Sequence, residues 1–134
     1  MYYETSYNPP YPAARLRISF RYKNQVIQLP IFEAMIDTGA DCTCIPNTII
    51  ALLPKRLYSM TELTSGGVKR TVTGIVLPSP KVEFLDQSNN LLLEMDYQEL
   101  WPVEFDEPLI GRDIINSFIC LFDAPNIKCS MKIP

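Results

Sequence analysis

Hydrophobic and polar residues alternate strictly over the first regular segment of the chain. Leu16, Ile18, Phe20 and Tyr22 occupy every second position, with arginine and serine residues between them. A period of two places such side chains on one face of a half-buried β-strand. The polar residues 23–25 that follow are suited to a hairpin turn. The pattern therefore predicts two strands joined by a hairpin.

The rest of the chain consists of short apolar segments separated by turn signals. Two short helices are predicted, one over residues 112–118 and one over residues 47–53, with Asn47 or Thr48 as its cap and Pro54 at its end. Many short strands and so few helices predict an all-β domain, built as a closed or folded barrel. The further predicted strands cover residues 26–29, 31–36, 42–45, 60–63, 70–77, 82–85, 91–93, 100–105, 119–122 and 127–133.

Length and composition indicate a single globular domain. The chain has 134 residues, of which 47% are hydrophobic and 20% charged, an ordinary balance for one domain. Residues 14–134 are predicted to form that domain. Residues 1–13, with four tyrosines and three prolines, are predicted to be a flexible or strand-like arm. A disordered leader is favoured for the arm, and a dimer strap or a segment removed by self-cleavage is the alternative.

The charge balance argues against nucleic acid and membranes as partners. The formal net charge is −3, and the basic residues do not cluster as in a nucleic-acid or anionic-membrane binder. No apolar stretch is long enough for a membrane span. The first residues do not resemble a signal peptide. A cytoplasmic location is therefore expected.

Histidine is absent from the chain, which excludes Ser-His-Asp and Cys-His catalysis and histidine metal sites within it. The four cysteines, Cys42, Cys44, Cys120 and Cys129, are expected to be thiols in a reducing compartment. Their spacing could in principle hold zinc, but it matches no common zinc module. Ordinary thiols are favoured, and neither a metal nor a cofactor is expected.

Two motifs carry candidate chemistry. Residues 37–40 read Asp-Thr-Gly-Ala and follow the apolar residues 34–36, so a carboxylate lies in a turn at the end of a buried strand. Asp-Thr-Gly is also a common turn sequence, which leaves a structural role open. Residues 109–113 read Leu-Ile-Gly-Arg-Asp and open the second predicted helix.

These motifs, with Gly66 and Gly67 between them, resemble in kind and order those of the retropepsins, the retroviral-type aspartic proteases, and their stand-alone cellular and bacterial relatives. The resemblance runs from about Leu16 to the end of the chain. It implies the acid protease fold of that family and aspartic endopeptidase activity. The chain differs in having few glycines in the hairpin, a longer segment between the hairpin and Leu109, and the extra residues 1–13.

The resemblance implies roles for the residues of the first motif. Asp37 matches the catalytic aspartate. Thr38 matches a threonine whose hydroxyl hydrogen-bonds across a dimer, and Gly39 matches a glycine whose backbone lies against the substrate. Together with Ala40, these two residues would support the active site.

The resemblance also implies a boundary ion pair and a substrate cleft. Asp41 and Arg112 match an acid and a base that pair near the subunit boundary, although an unrelated solvated pair is the alternative. The glycine pair is either the tip of a flap over the cleft or an ordinary hairpin turn. The cleft and flap residues implied are Cys44, Gly66, Gly67, Val68, Leu109, Ile110 and Gly111.

A single Asp-Thr-Gly motif implies that two chains are needed. Two carboxylates a hydrogen bond apart share one proton, so one can activate a water while the other polarises the scissile carbonyl. A C2 homodimer would bring Asp37 to its symmetry mate and bind an extended peptide as a strand. Two alternatives remain: a catalytically silent domain of the same fold that binds or scaffolds peptides, and a cysteine-rich metal or redox module.

Overall fold

The computed structural model describes residues 2–6 and 11–134. In these residues the backbone forms two four-residue α-helices, α1 (Asn47–Ile50) and α2 (Arg112–Ile115), and one turn of 3-10 helix (Lys55–Leu57). All other regular structure is extended. The strands are β1 (Tyr2–Ser6), β2 (Ala13–Tyr22), β3 (Gln25–Gln28), β4 (Phe32–Ile36), β5 (Cys44–Ile45), β6 (Tyr58–Ser65), β7 (Val68–Ile75), β8 (Leu77–Pro78), β9 (Lys81–Leu85), β10 (Leu91–Asp96), β11 (Glu99–Leu100), β12 (Val103–Glu104), β13 (Leu109–Ile110), β14 (Ile119–Asp123) and β15 (Lys128–Lys132).

The largest sheet follows the order β10-β9-β2-β4-β13-β5-β12-β7-β6, and β3 also pairs with β2. The long strand β2 lies antiparallel to β3, β4 and β9. Its alternate residues are buried, as the period-two pattern predicted. The all-β class with two short helices is thus confirmed, while closure of the sheet into a barrel stays a prediction.

The main core lies against the inner face of β2 and β9. Leu16 and Phe20 of β2 are almost fully buried, as is Phe84 of β9. The Phe84 ring packs edge-on against Phe118 at 5.5 Å between centroids and lies 5.4 Å from the ring of Tyr3. Because Tyr3 belongs to β1 and Phe118 follows α2, this aromatic cluster joins β1 and the segment after α2 to the central sheet.

A separate three-stranded sheet has the order β1-β15-β14. Strand β1, which lies in the predicted N-terminal arm, pairs antiparallel with β15 in the register Tyr3↔Met131. Residues 1 and 7–10 of that arm lie outside the described residues. Its use as a dimer strap or a self-cleaved segment stays a prediction.

The turn after β2 and the segment of residues 100–105 differ in how well the sequence predicted them. The predicted turn after β2 is confirmed, because Lys23 and Asn24 both have positive φ, as a two-residue hairpin loop requires. The strand predicted over residues 100–105 is wrong as a single unit. It is interrupted at Trp101 and Pro102, where the proline has no N–H for a ladder hydrogen bond.

Both helices are shorter than predicted, and the cap of α1 differs. Pro46 precedes α1 with extended backbone, no side chain caps the helix, and the N–H groups of Ile49 and Ile50 both donate to the Pro46 carbonyl. The prediction of Asn47 or Thr48 as the cap is therefore wrong. Across the described part of the chain, no helix has the length and apolar character needed to cross a membrane.

A partly buried ion pair joins two central strands. Arg17 of β2 lies opposite Glu83 of β9, and its guanidinium donates two hydrogen bonds to the carboxylate at 3.1 and 2.9 Å. These hydrogen bonds hold the pKa of Glu83 below its ordinary value. A carboxylate whose pKa is lowered by folding stabilises the folded state above its unfolded pKa, and that contribution disappears as the pH falls through the folded value.

We therefore expect Glu83→Gln to lower the free energy of unfolding by about 1–2 kcal/mol at pH 7. The difference from the unmodified protein should shrink as the pH is lowered past the ordinary glutamate range, about 4.3, toward pH 3. Urea unfolding at pH 7, 5 and 3 measures this difference in the free energy of unfolding. Glu94→Gln is the matched control, since Glu94 makes only a 4.0 Å contact with Lys81 on the exposed side. A loss of equal size at pH 3 and pH 7 would contradict this account.

Candidate active site

The loop of residues 37–42 starts at the end of β4 and is held there by backbone hydrogen bonds. The Asp37 N–H donates to the Ile110 carbonyl at 3.0 Å, and the Ala40 N–H closes a turn onto the Asp37 carbonyl at 3.2 Å. The Asp37 carboxylate accepts a hydrogen bond from the Gly39 N–H at 2.9 Å. The candidate carboxylate is thus held by its own turn at the C-terminal end of β4, an interior strand of the sheet.

The path of this loop follows from the strand order. Strand β13 lies between β4 and β5, parallel to the first and antiparallel to the second. The loop that connects β4 to β5 must therefore pass across the end of β13, where Gly111 follows. A Cβ atom at Gly111 would lie 2.4 Å from the Cys42 carbonyl carbon and 2.5 Å from the Cys42 oxygen. The two backbones can cross at this distance only because residue 111 has no side chain.

A buried polar cluster ties the same loop to α2. Thr43 is 1% exposed. Its hydroxyl donates to the Asp113 carboxylate at 2.7 Å, its N–H donates to the other carboxylate oxygen at 2.9 Å, and its hydroxyl accepts from the Gly111 N–H at 3.2 Å. Asp113 also accepts from the Ile114 N–H at 3.0 Å. These hydrogen bonds use the hydroxyl and the N–H of buried Thr43 and both carboxylate oxygens of half-buried Asp113, and they align the loop with the start of α2.

Thr43 and Asp113 are not among the predicted site residues. Asp113 was visible only as part of the second motif, next to Arg112. The sequence carries no signal for Thr43 beyond its place between Cys42 and Cys44. The pairing itself joins residues that are far apart in sequence, so no local pattern could show it.

A cleft of about 470 Å³ lies between the Asp37 loop and the β6–β7 hairpin. The hairpin turns at Gly66 and Gly67, which both have positive φ, with Ser65 opposite Val68. Such a two-residue loop requires this conformation, and glycine adopts it without steric cost. The residues lining the cleft are Asp37, Gly39, Ala40, Asp41, Cys42, Cys44, Glu62, Leu63, Thr64, Ser65, Gly66, Phe105 and Leu109.

One wall of the cleft is an apolar cluster separate from the main core. Cys44, Val72 and Val103 are buried there. The partly buried residues packed on them include Leu63 of the hairpin and Leu109 of β13. The cleft therefore offers a carboxylate on its floor and apolar surface beside it.

Most predicted site residues meet in this cleft, but some do not. Ile110 is fully buried and packs in the main core, which corrects the expectation that it lines the cleft. Gly111 lies beneath the Asp37 loop, at the point where its backbone crosses that of Cys42. Gly67 and Val68 complete the hairpin turn without lining the cleft, and Val68 is exposed. Thr38 is also exposed.

Asp41 and Arg112 form an ion pair. Both side chains are substantially exposed, so the pair contributes little to the stability of a single chain. The Arg112 N–H also donates to the Ala40 carbonyl at 2.9 Å. The pair thus lies where the loop meets α2, and its position at a subunit boundary stays a prediction.

Residues 2–6 and 11–134 contain no group of three or more Cys, Asp or Glu side chains placed to hold a metal ion. All four cysteines are free thiols. The ionisable side chains that line the cleft are the carboxylates of Asp37, Asp41 and Glu62 and the thiols of Cys42 and Cys44.

A family model for retroviral aspartyl proteases matches residues 9–122 of the chain. The matched region contains the Asp37 loop, the β6–β7 hairpin and α2. A search of curated proteins gives no match.

We expect Gly111→Ala to lower the free energy of unfolding by about 3 kcal/mol or more, because the added methyl group meets backbone atoms that cannot move aside. The backbone of Gly111 is extended, with φ −92°, so the effect is purely steric. Thermal and urea unfolding measure it.

Gly74→Ala is the matched control for this substitution. A Cβ atom at Gly74 would lie 3.2 Å from a methyl group of Thr61 and 3.4 Å from the Ser59 hydroxyl, both of which are side-chain ends. We expect a clearly smaller loss there. Equal losses for the two variants would mean that the backbone crossing is not the constraint.

Proposed function

The chain belongs to the retroviral aspartyl protease family, and on this basis we propose that it is an aspartic endopeptidase with Asp37 as its catalytic carboxylate. The observation that carries the proposal is the position of Asp37. It lies on the floor of the cleft, held by Gly39 and by the β13 backbone, with the β6–β7 hairpin as the opposite wall.

The proposed enzyme is a C2 homodimer, because each chain supplies one such carboxylate and the reaction needs two. In the dimer, Asp37 and its symmetry mate share one proton. The ionised carboxylate takes a proton from a water, which attacks the scissile carbonyl. The protonated carboxylate polarises that carbonyl and then helps the amine to leave. No covalent intermediate forms.

The proposed substrate is an extended peptide. Such a peptide would bind as a strand between the Asp37 loop and the hairpin, with backbone hydrogen bonds and pockets for alternate side chains. Leu63, Phe105 and Leu109 give those pockets an apolar character. Closure of the hairpin at Gly66 would exclude water from the reacting bond.

The proposed dimer surface is the free edge of β14. Within the described residues this strand is bonded only to β15 and forms the edge of its sheet. Ile119 is 50% exposed and Leu121 is 63% exposed. A free strand edge with apolar side chains pairs readily with another strand. Residues 116–118 connect β14 to α2, which begins at Arg112, the partner of Asp41.

We expect digestion of a mixed peptide library by the wild-type chain and a loss of roughly 10²–10⁴-fold or more in rate for Asp37→Asn. The rate should rise more than linearly with protein concentration near the dimer dissociation constant. It should be highest at mildly acidic pH, because the pair must keep one proton. Mass spectrometry of the digest at several pH values and concentrations measures all three.

The outcomes of this digest separate the alternatives. Absence of cleavage at concentrations where sizing shows a dimer would count against the protease and favour a peptide-binding domain of the same fold. Equal cleavage by wild type and Asp37→Asn would show that Asp37 is not the catalytic group. A rate that climbs steadily to alkaline pH would rule out the shared proton.

We expect Leu121→Lys to raise the dimer dissociation constant at least about tenfold, because a C2 interface contains the substituted residue twice. Val26→Lys is the matched control, since Val26 is equally exposed at 64% but lies on β3. Analytical ultracentrifugation of both variants tests the assignment. An unchanged dimer for Leu121→Lys would place the interface elsewhere.

A further inference from the structure

Two thiols lie in the cleft that holds Asp37. Cys42 is half-buried and Cys44 is 3% exposed, and both line the cleft. They are separated only by Thr43, whose N–H and hydroxyl bind Asp113 and whose carbonyl accepts a hydrogen bond from Val103 at 3.1 Å. Because Thr43 is held on both sides, the cysteines before and after it are held in fixed positions.

The two side chains form an unequal pair. The Cys44 thiol donates a long hydrogen bond to the Cys42 carbonyl at 3.7 Å, which holds the Cys44 sulfur against the Cys42 backbone. Side-chain hydrogen bonding with Cys44 lowers the pKa of Cys42 below its ordinary value, while partial burial and the Asp113 charge oppose this. Hydrogen bonding with Cys42 raises the pKa of Cys44, and burial raises it further. The more accessible thiol is therefore also the better nucleophile, since the thiolate is the reactive form.

The spacing of the two residues permits a bond between them. A fully extended strand separates the Cα atoms of residues i and i+2 by roughly 6.6 Å, and disulfides form up to a Cα separation of about 6.8 Å. Cys42 lies in a bend before β5 begins, so the chain there is not fully extended. Cys44 is thus within reach of an oxidised Cys42.

We propose that Cys42 is a site of reversible oxidation by peroxide inside the cleft, and that Cys44 resolves the product to a Cys42–Cys44 disulfide. In the first step the Cys42 thiolate attacks hydrogen peroxide, the O–O bond breaks, and hydroxide leaves and becomes water with the proton that Cys42 had released. Cys42 becomes a sulfenic acid.

In the second step the Cys44 sulfur attacks the Cys42 sulfur, the S–O bond breaks, and a second water leaves with the Cys44 proton. One peroxide is reduced to two waters and two thiols are oxidised to one disulfide. Oxidation of Cys42 also removes the thiolate that raises the pKa of Cys44, which makes the second thiol easier to ionise.

The consequence for the cleft depends on the proposed function, whereas the thiol chemistry does not. The disulfide would reshape the floor beside Asp37, where a peptide would lie. Bound peptide should in turn shield Cys42 from peroxide. The cleft would then be closed by oxidation and reopened by a thiol reductant.

The remaining cysteines serve as an internal control. Cys120 and Cys129 lie on neighbouring strands, β14 and β15. Burial raises the pKa of Cys120, and burial together with the Cys120 charge raises the pKa of Cys129 to about 12. We expect both to react with peroxide at least about tenfold more slowly than Cys42.

The test treats the folded, full-length Asp37→Asn variant with hydrogen peroxide, alkylates the remaining thiols and maps tryptic peptides. Asp37→Asn prevents self-digestion and makes the readout independent of proteolysis. Cys42 and Cys44 both lie between Lys23 and Lys55, so one peptide carries both, whereas Cys120 and Cys129 fall on others. We expect this peptide to lose two hydrogens and both alkylation sites, and to recover them with dithiothreitol.

Two variants separate the steps. Cys44→Ser keeps a hydrogen-bond donor but cannot form the disulfide, so a sulfenic acid should accumulate on Cys42 and be trapped by dimedone. Cys42→Ser should abolish both the disulfide and the dimedone adduct in this peptide. Circular dichroism confirms that each variant is folded.

The opposite results would overturn the proposal. Oxidation of Cys120 or Cys129 as fast as Cys42 would remove the claim of selectivity. Oxygen atoms gained at Cys42 while Cys44 stays open to alkylation would exclude Cys44 as the resolving thiol; oxygen gained at Met35 of the same peptide is not counted. Persistence of both alkylation sites in the presence of peroxide would exclude the site altogether.

Discussion

The structure depends on one close crossing of two backbones. The Asp37 loop must pass over the end of β13 to join strands on either side of it, and the Cys42 backbone comes so near Gly111 that a single methyl group would not fit. The backbones cannot move apart easily, because hydrogen bonds hold them beside the contact, from the Arg112 N–H to the Ala40 carbonyl and from the Gly111 N–H to the Thr43 hydroxyl. The position of the Asp37 carboxylate follows from this contact, since the loop that carries it has no other path.

The polar cluster around Thr43 complements that crossing. Three hydrogen bonds from Thr43 and Gly111 fix the register of the loop against α2. Buried polar groups are costly when unpaired and directional when paired. Thr43 and Asp113 satisfy one another, so the cluster specifies one geometry for the loop at little cost.

The segment from Asp37 to Cys44 thus combines several functions within a few residues. It carries the candidate catalytic carboxylate, one member of the ion pair with Arg112, the buried threonine and the two cleft thiols. Because these groups share one hydrogen-bonded backbone segment, a chemical change at Cys42 would alter the surroundings of the Asp37 carboxylate. A proposed oxidation site next to a proposed catalytic site is therefore a consequence of how tightly the loop is held.

The sequence by itself determined the strand-rich class, the buried face of β2 and the turn at Lys23 and Asn24. It also pointed to Asp37 as the candidate catalytic residue. Alternation, turn residues and short motifs are local properties, so they can be read without the fold. The sequence did not show the pairing of Thr43 with Asp113, the burial of Ile110 in the core, or why residue 111 is glycine. Those were decided by the tertiary structure, since each depends on segments about 70 residues apart meeting in space. A one-dimensional pattern records which face a residue prefers, but only the folded chain determines what lies against that face.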